Sequence, residues 1–146
     1  MSDNPSVHIS TRYKEIYYDR FTDLKKEKLF DRMIDLFLLA ASIGYVKNKY
    51  KPVVIRESDS PFKWSNFCAS DVTLIKSISL LHNGKEPQVL LDKEKMMNII
   101  ENYANGGIED VCKLLDKEGS KVNNLLELLN ENSIEQLLKD ASDKGI

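Results

Sequence analysis

The stretch 29–45, LFDRMIDLFLLAASIGY, constrains the fold more than any other part of the sequence. Its Leu29, Met33, Leu36, Phe37, Ala40 and Ile43 recur at helical spacing, and 36–41 adds an unbroken apolar run that wraps most of a helix's circumference. A helix apolar on nearly every side must be surrounded by protein, so the spacing predicts a central buried helix over 29–45. Asp31 and Asp35 stand at its amino-terminal end, where the helix dipole favours anions, while Gly44 offers a left-handed stop followed by Lys47 and Lys49. A membrane span needs about twenty uninterrupted apolar residues. This run is shorter and carries Asp31, Arg32 and Asp35, so burial in protein is expected and no membrane partner.

The remaining residues read as helices around that element. A single domain over 1–146 is expected, since a protein of this size buries about two-thirds of its unfolded surface. The fold class is all-α, with a loose polar terminus at 1–8 and an irregular basic connector at 46–66 able to hold a short β-hairpin or strand. The 11–21 stretch, with Tyr13, Ile16, Tyr17 and Phe21, fits either a short helix or a strand. Ser70 and Asp71 can cap a helix through Leu74, Ile75, Ile78 and Leu81, stopped by Asn83-Gly84. Asp92 can cap another that presents Met96, Met97, Ile99, Ile100 and Tyr103 inward and ends at Asn105-Gly106-Gly107. A sharp corner is expected there, with at least one glycine at positive φ. A short helix from Ile108 to Leu115 and a leucine-rich helical pair over 120–146 complete the domain, the last opened by the Ser133/Gln136 capping box.

Composition narrows the function. The net charge of −2 argues against a general nucleic-acid coat, but it conceals an asymmetry: 12 Lys+Arg against 9 Asp+Glu in 1–64, and 9 against 14 in 65–146. In the connector, Lys47, Lys49, Lys51, Arg56, Lys63 and Trp64 interleave cations with aromatic rings, which suits phosphates and stacked bases. The competing reading is a solvated basic loop whose aromatic rings pack inward. Cys68 and Cys112 lack any metal-ligand or disulfide spacing and read as free buried thiols, so no metal and no cofactor is expected. His82 at a helix end reads as structural. Glu109-Asp110 and Asp116 with Glu118 lie among lysines on the polar face of their helix, where solvation rather than acid–base chemistry is expected. The first residues contain no secretory signal, which makes the cytoplasm the expected compartment.

Two segments carry a resemblance. FLLAASIGYVKNKYKP supplies Ala40, Ala41, Gly44, Tyr45, Lys49, Lys51 and Pro52, and ENYANGGIEDVCKLL supplies Glu101, Tyr103, Ala104, Asn105, Gly106, Gly107 and Ile108. In order and spacing, with WSNF between them, they resemble the small DNA phosphorothioation-associated protein 4 family over about residues 25–118, with lysines where that family has arginines. The resemblance implies an association with the sulfur modification of bacterial DNA and with restriction of phage. It supplies no catalytic residues to carry over. The expectation is therefore a non-enzymatic accessory subunit that binds larger protein subunits of a DNA defence complex, with Leu125, Leu126, Leu129 and Leu137 as the docking face. DNA contact through 47–64 is the alternative. Tyr103, Asn105, Gly106 and Gly107 are expected to be a structural motif.

Overall fold

The structure, a computed structural model, describes residues 4–7, 32–53 and 62–116. The 11–21 stretch, Arg56 and the leucine-rich segment after Gly119 lie outside them. Helices predominate. In sequence order the elements are strand β1 (Ser6–Val7), helix α1 (Met33–Val46), strand β2 (Phe62–Lys63), a 3₁₀ turn (Trp64–Asn66), helix α2 (Ala69–His82), a second 3₁₀ turn (Pro87–Leu91) and helix α3 (Lys93–Asp116).

α1 follows from its sequence. Arg32 is the extended N-cap residue, and Asp35 in the first turn accepts the Arg32 backbone N–H at 3.1 Å. Ile34, Leu36, Phe37, Leu38, Ala40, Ala41, Ile43 and Gly44 are all buried, as the all-round apolar pattern requires. The stop falls later than expected. Gly44 is helical, and the left-handed residue is Asn48 at φ 55°, with Lys49 N–H donating to Gly44 O (2.7 Å) and Asn48 N–H to Tyr45 O (3.1 Å). This is a Schellman stop built on asparagine.

α2 uses the same chemistry at both ends. Asp71 in its first turn accepts the Cys68 backbone N–H at 3.0 Å, and Ile75, Ile78 and Leu81 face the core. Asn83-Gly84 ends it as the sequence predicts: Gly84 has φ 65° and Lys85 N–H donates to Leu80 O at 2.8 Å.

α3 departs from the expected layout. Asp92 does cap it, accepting Lys95 N–H at 3.0 Å. The helix then runs for 24 residues straight through Asn105-Gly106-Gly107, and neither glycine has positive φ. There is no corner, and the separate short helix expected from Ile108 is the second half of α3. From Met96 to Val111 its side groups are buried on most faces, so α3 is as central as α1, and the two pack along their length.

The amino-terminal residues also differ from expectation. Ser6 and Val7 pair antiparallel with Lys63 and Phe62, and Val7 is fully buried against the core. The strand anticipated in the connector is this short pairing. It is held further by Trp64 N–H donating to Pro5 O (2.9 Å) and Ser65 N–H to Asn4 Oδ1 (2.8 Å). Phe62 sits between Phe37 (5.2 Å) and Phe67 (6.3 Å), which ties β2 to α1.

Candidate functional site

The two sequence segments that carry the resemblance meet face to face. On α1, Ala40 and Gly44 lie one turn apart. On α3, Tyr103 and Gly107 do the same. A methyl carbon at Gly107 would overlap the Ala40 carbonyl oxygen and stand 2.6 Å from Gly44 N, and one at Gly44 would overlap the Tyr103 carbonyl oxygen. The α-hydrogens that occupy those positions therefore point at carbonyl oxygens across the joint, the geometry of Cα–H···O contacts. Each glycine in a helix interior costs about 1 kcal/mol relative to alanine, and the close approach offsets that cost. These glycines have helical φ because their task is proximity, not a turn.

Gly106 serves the connector. A methyl carbon there would overlap the Lys49 carbonyl oxygen, so 49–53 lies directly on α3. Lys51 N–H donates to Asn102 O (3.1 Å), and Asn105 Nδ2 donates to Lys51 O (2.9 Å) and Pro52 O (3.3 Å). Asn102 Nδ2 donates to the Tyr50 hydroxyl at 2.9 Å. Asn102 and Asn105 on one helix thus hold an extended segment by its backbone. That arrangement accounts for Tyr-Ala-Asn-Gly-Gly as one unit.

Beside this seam the lysines meet carboxylates. Lys49 Nζ binds both oxygens of Asp110 at 2.9 and 3.1 Å, Lys47 approaches the same carboxylate at 3.7 Å, and Lys51 reaches Glu109 at 3.7 Å. The Asp110 carboxylate is only 10% exposed, so it is a partner of the connector rather than a solvated surface acid. The left-handed turn at Asn48 and the segment that follows it bring the three lysines towards Glu109 and Asp110 on α3. Of the other sequence-predicted residues, Lys63 is exposed on β2, and Trp64 is half-buried with Lys93 Nζ 5.6 Å from its ring centroid. Arg56 and the leucines at 125, 126, 129 and 137 fall outside the described residues.

The seam ends in an aromatic cluster that spacing alone does not disclose. Tyr50 stacks on His82 (4.5 Å, 22°), Tyr103 meets Tyr50 and Tyr45 edge-on at 4.8 and 5.5 Å, and His82 Nδ1 lies 2.7 Å from the Tyr103 hydroxyl. Burial pushes the Tyr103 phenol up to about 12, assisted by Tyr45 and Tyr50. Burial and the charge of Lys95 lower His82 below its usual value. Both groups are therefore held neutral at pH 7.

A second network joins the starts of α1 and α2. The Arg32 guanidinium grips both Asp71 oxygens (3.0 and 3.1 Å) and Asp35 (2.7 Å). Burial raises the Asp71 carboxyl, but Arg32 and the Cys68 N–H outweigh it and leave its pKa below the ordinary value. Cys68 is exposed, not buried as its sequence context suggests. Its sulfur lies 3.2 Å from Ser70 Oγ and 3.1 Å from Asp71 Oδ2, and its pKa is lowered, chiefly by the Ser70 hydroxyl. Cys112 is half-buried.

Among the described residues, no group of three or more His, Cys, Asp or Glu side groups is placed to hold a metal ion, and no helix is long and apolar enough to cross a membrane. Comparison with curated proteins and with solved structures finds no match. A family model does match, over residues 7–144, which includes both halves of the seam and nearly the whole sequence. The chain belongs to the family described as DNA sulphur modification system-associated protein 4.

Proposed function

We propose that this protein is a non-enzymatic accessory subunit of a bacterial anti-phage DNA modification–restriction system, acting by binding larger DNA-processing proteins. The observation that carries this reading is the use to which the family's motif residues are put. Gly44, Tyr103, Asn105, Gly106 and Gly107 are spent on helix–helix and helix–connector packing, which builds a rigid body suited to presenting a surface. The family's description, association with a DNA sulphur modification system, supplies the context.

The docking element in this reading is the leucine-rich segment with Leu125, Leu126, Leu129 and Leu137, whose apolar content exceeds what one narrow helical stripe needs. Co-purification from cells expressing the whole system tests it, using the Leu126→Glu/Leu129→Glu double variant with folding followed by circular dichroism. Loss of partners by a folded variant is expected. A folded variant that retains every partner refutes the docking element, and a variant that unfolds reassigns these leucines to the core.

DNA contact through Lys47–Trp64 is the second reading, favoured by exposed Lys63 beside half-buried Trp64. Against it, Lys47, Lys49 and Lys51 already face two carboxylates. Binding that weakens steeply with salt, and less steeply in Lys63→Ala, would establish this reading in place of the first.

A further inference from the structure

The sequence contains two Asn-Gly pairs, 83–84 and 105–106, and the structure places them in opposite chemical situations. We propose that Asn83-Gly84 is a site of spontaneous covalent modification, in which the asparagine amide is lost as ammonia through a succinimide and the product is aspartate and isoaspartate, while Asn105-Gly106 is protected by the fold.

The reaction needs a free backbone N–H after the asparagine, an unobstructed asparagine Cγ carbonyl and local freedom to bring them together. Gly84 supplies the N–H and the freedom, and Asn83 before it is half-buried. The Gly84 N–H makes no hydrogen bond among the described residues, Gly84 lies exposed beyond the end of α2, and nothing stands within 4 Å of where a Cβ would project. The Asn83 amide group likewise makes no hydrogen bond among the described residues. Among the described residues the turn is restrained by Asn83 N–H to Ser79 O (3.0 Å), Lys85 N–H to Leu80 O (2.8 Å) and Glu86 N–H to Asn83 O (3.3 Å), and none of these uses the Gly84 N–H or the Asn83 side-chain amide. At the other pair, the Gly106 N–H lies within α3, Gly106 is pressed against the Lys49 carbonyl, and the Asn105 amide nitrogen is engaged by Lys51 O and Pro52 O.

In the step itself, the Gly84 nitrogen attacks Cγ of Asn83 and a new C–N bond forms. The bond from Cγ to the Asn83 amide nitrogen Nδ2 breaks, and the Gly84 amide hydrogen leaves with the NH₂ group as ammonia. Water then adds to one imide carbonyl and opens the ring to aspartate or isoaspartate, with no oxidation or reduction. The product carries a carboxylate at the carboxy-terminal end of α2, where the helix dipole opposes it, one residue from His82. Isoaspartate also adds a backbone carbon inside the Lys85–Leu80 turn, which breaks the register of the stop.

The test uses the full-length protein, incubated at mildly alkaline pH in buffer and, in parallel, in denaturant, followed by trypsin digestion and mass spectrometry. Cleavage after lysine separates the pairs into a 77–85 peptide and a 96–113 peptide. In the folded protein, the amide-to-acid mass gain and isoaspartate should accumulate in the 77–85 peptide at least about a hundredfold faster than in the 96–113 peptide, since the latter needs a core helix to open. In denaturant the two rates should converge. Retention of Asn83 in the folded protein after the denatured sample has converted, or conversion of Asn105 at a similar folded-state rate, would overturn the assignment.

Discussion

Asn83-Gly84 and Asn105-Gly106 are the same dipeptide at the same kind of place, just after an apolar helical stretch, and only one of them ends a helix. Gly84 takes φ 65° with open space around it. Gly106 and Gly107 stay helical because backbone from Lys49 and from Ala40–Gly44 lies where their Cβ atoms would be. The comparison shows that a glycine's conformational freedom and its lack of volume are separate properties, and that the neighbour decides which one is used. At Gly84 nothing among the described residues stands where a Cβ would be, and the backbone turns. At 106–107 a second helix and an extended segment arrive, so the helix continues.

Alanine substitutions sharpen that contrast. Gly107→Ala should have the largest effect, because the new methyl meets backbone on α1 that cannot swing aside; a loss of about 3 kcal/mol is expected by overpacking. Thermal unfolding should show a drop of roughly 10 °C for a protein of this size. Gly84→Ala should cost only about 1 kcal/mol, the strain of a left-handed alanine with no steric clash. If the two losses prove equal, crowding and strain are not distinguished by the sites. Asp110→Asn comes next, at about 0.5–1 kcal/mol, since its lysine partners keep access to water. That loss should shrink as salt is raised, which a denaturation series at two ionic strengths would show.

The smallest effect is read from pH. His82 has its pKa lowered, so the stability it contributes is present above its unfolded value near 6.5 and is lost as pH falls towards the folded value. Tyr103 is raised to about 12, so its contribution is present below the unfolded value of 10 and is lost as pH rises from there towards 12. Stability should therefore plateau between the two limbs, and Tyr103→Phe should flatten the alkaline one. An unchanged alkaline limb in that variant would assign it to other groups.

Much of the architecture is legible in the sequence, for identifiable reasons. The apolar run at 36–41 fixes α1, Asp92 marks the start of α3, and Asn83-Gly84 marks the end of α2, because each signal acts within a turn or two of itself. What is not legible depends on contacts between distant parts of the sequence. Gly106-Gly107 looks like a corner until α1 is known to lie against it, a pairing some 60 residues distant in sequence. The Lys47–Lys51 alternation suggests an open cationic strip until Glu109 and Asp110 are placed opposite it. Val7, in a polar terminus with one proline, gives no sign that it pairs beside Phe62. The site is less legible than the fold for the same reason. The motif residues Tyr103, Asn105, Gly106 and Gly107 stand out individually, but their common purpose appears only when 40–53 is laid on 101–110.

The central claim is that α3 is continuous through Gly106-Gly107 and touches α1 there. Heteronuclear NMR on the full-length protein tests it most directly, through ¹³Cα secondary shifts over 104–109 and nuclear Overhauser contacts from the Gly107 α-protons. Unbroken helical shifts, with cross-peaks from Gly107 to Ala40 and Gly44, are the expected result. A break in the shifts at 106–107, with left-handed glycine values and no cross-peak to α1, would contradict the account and restore the corner.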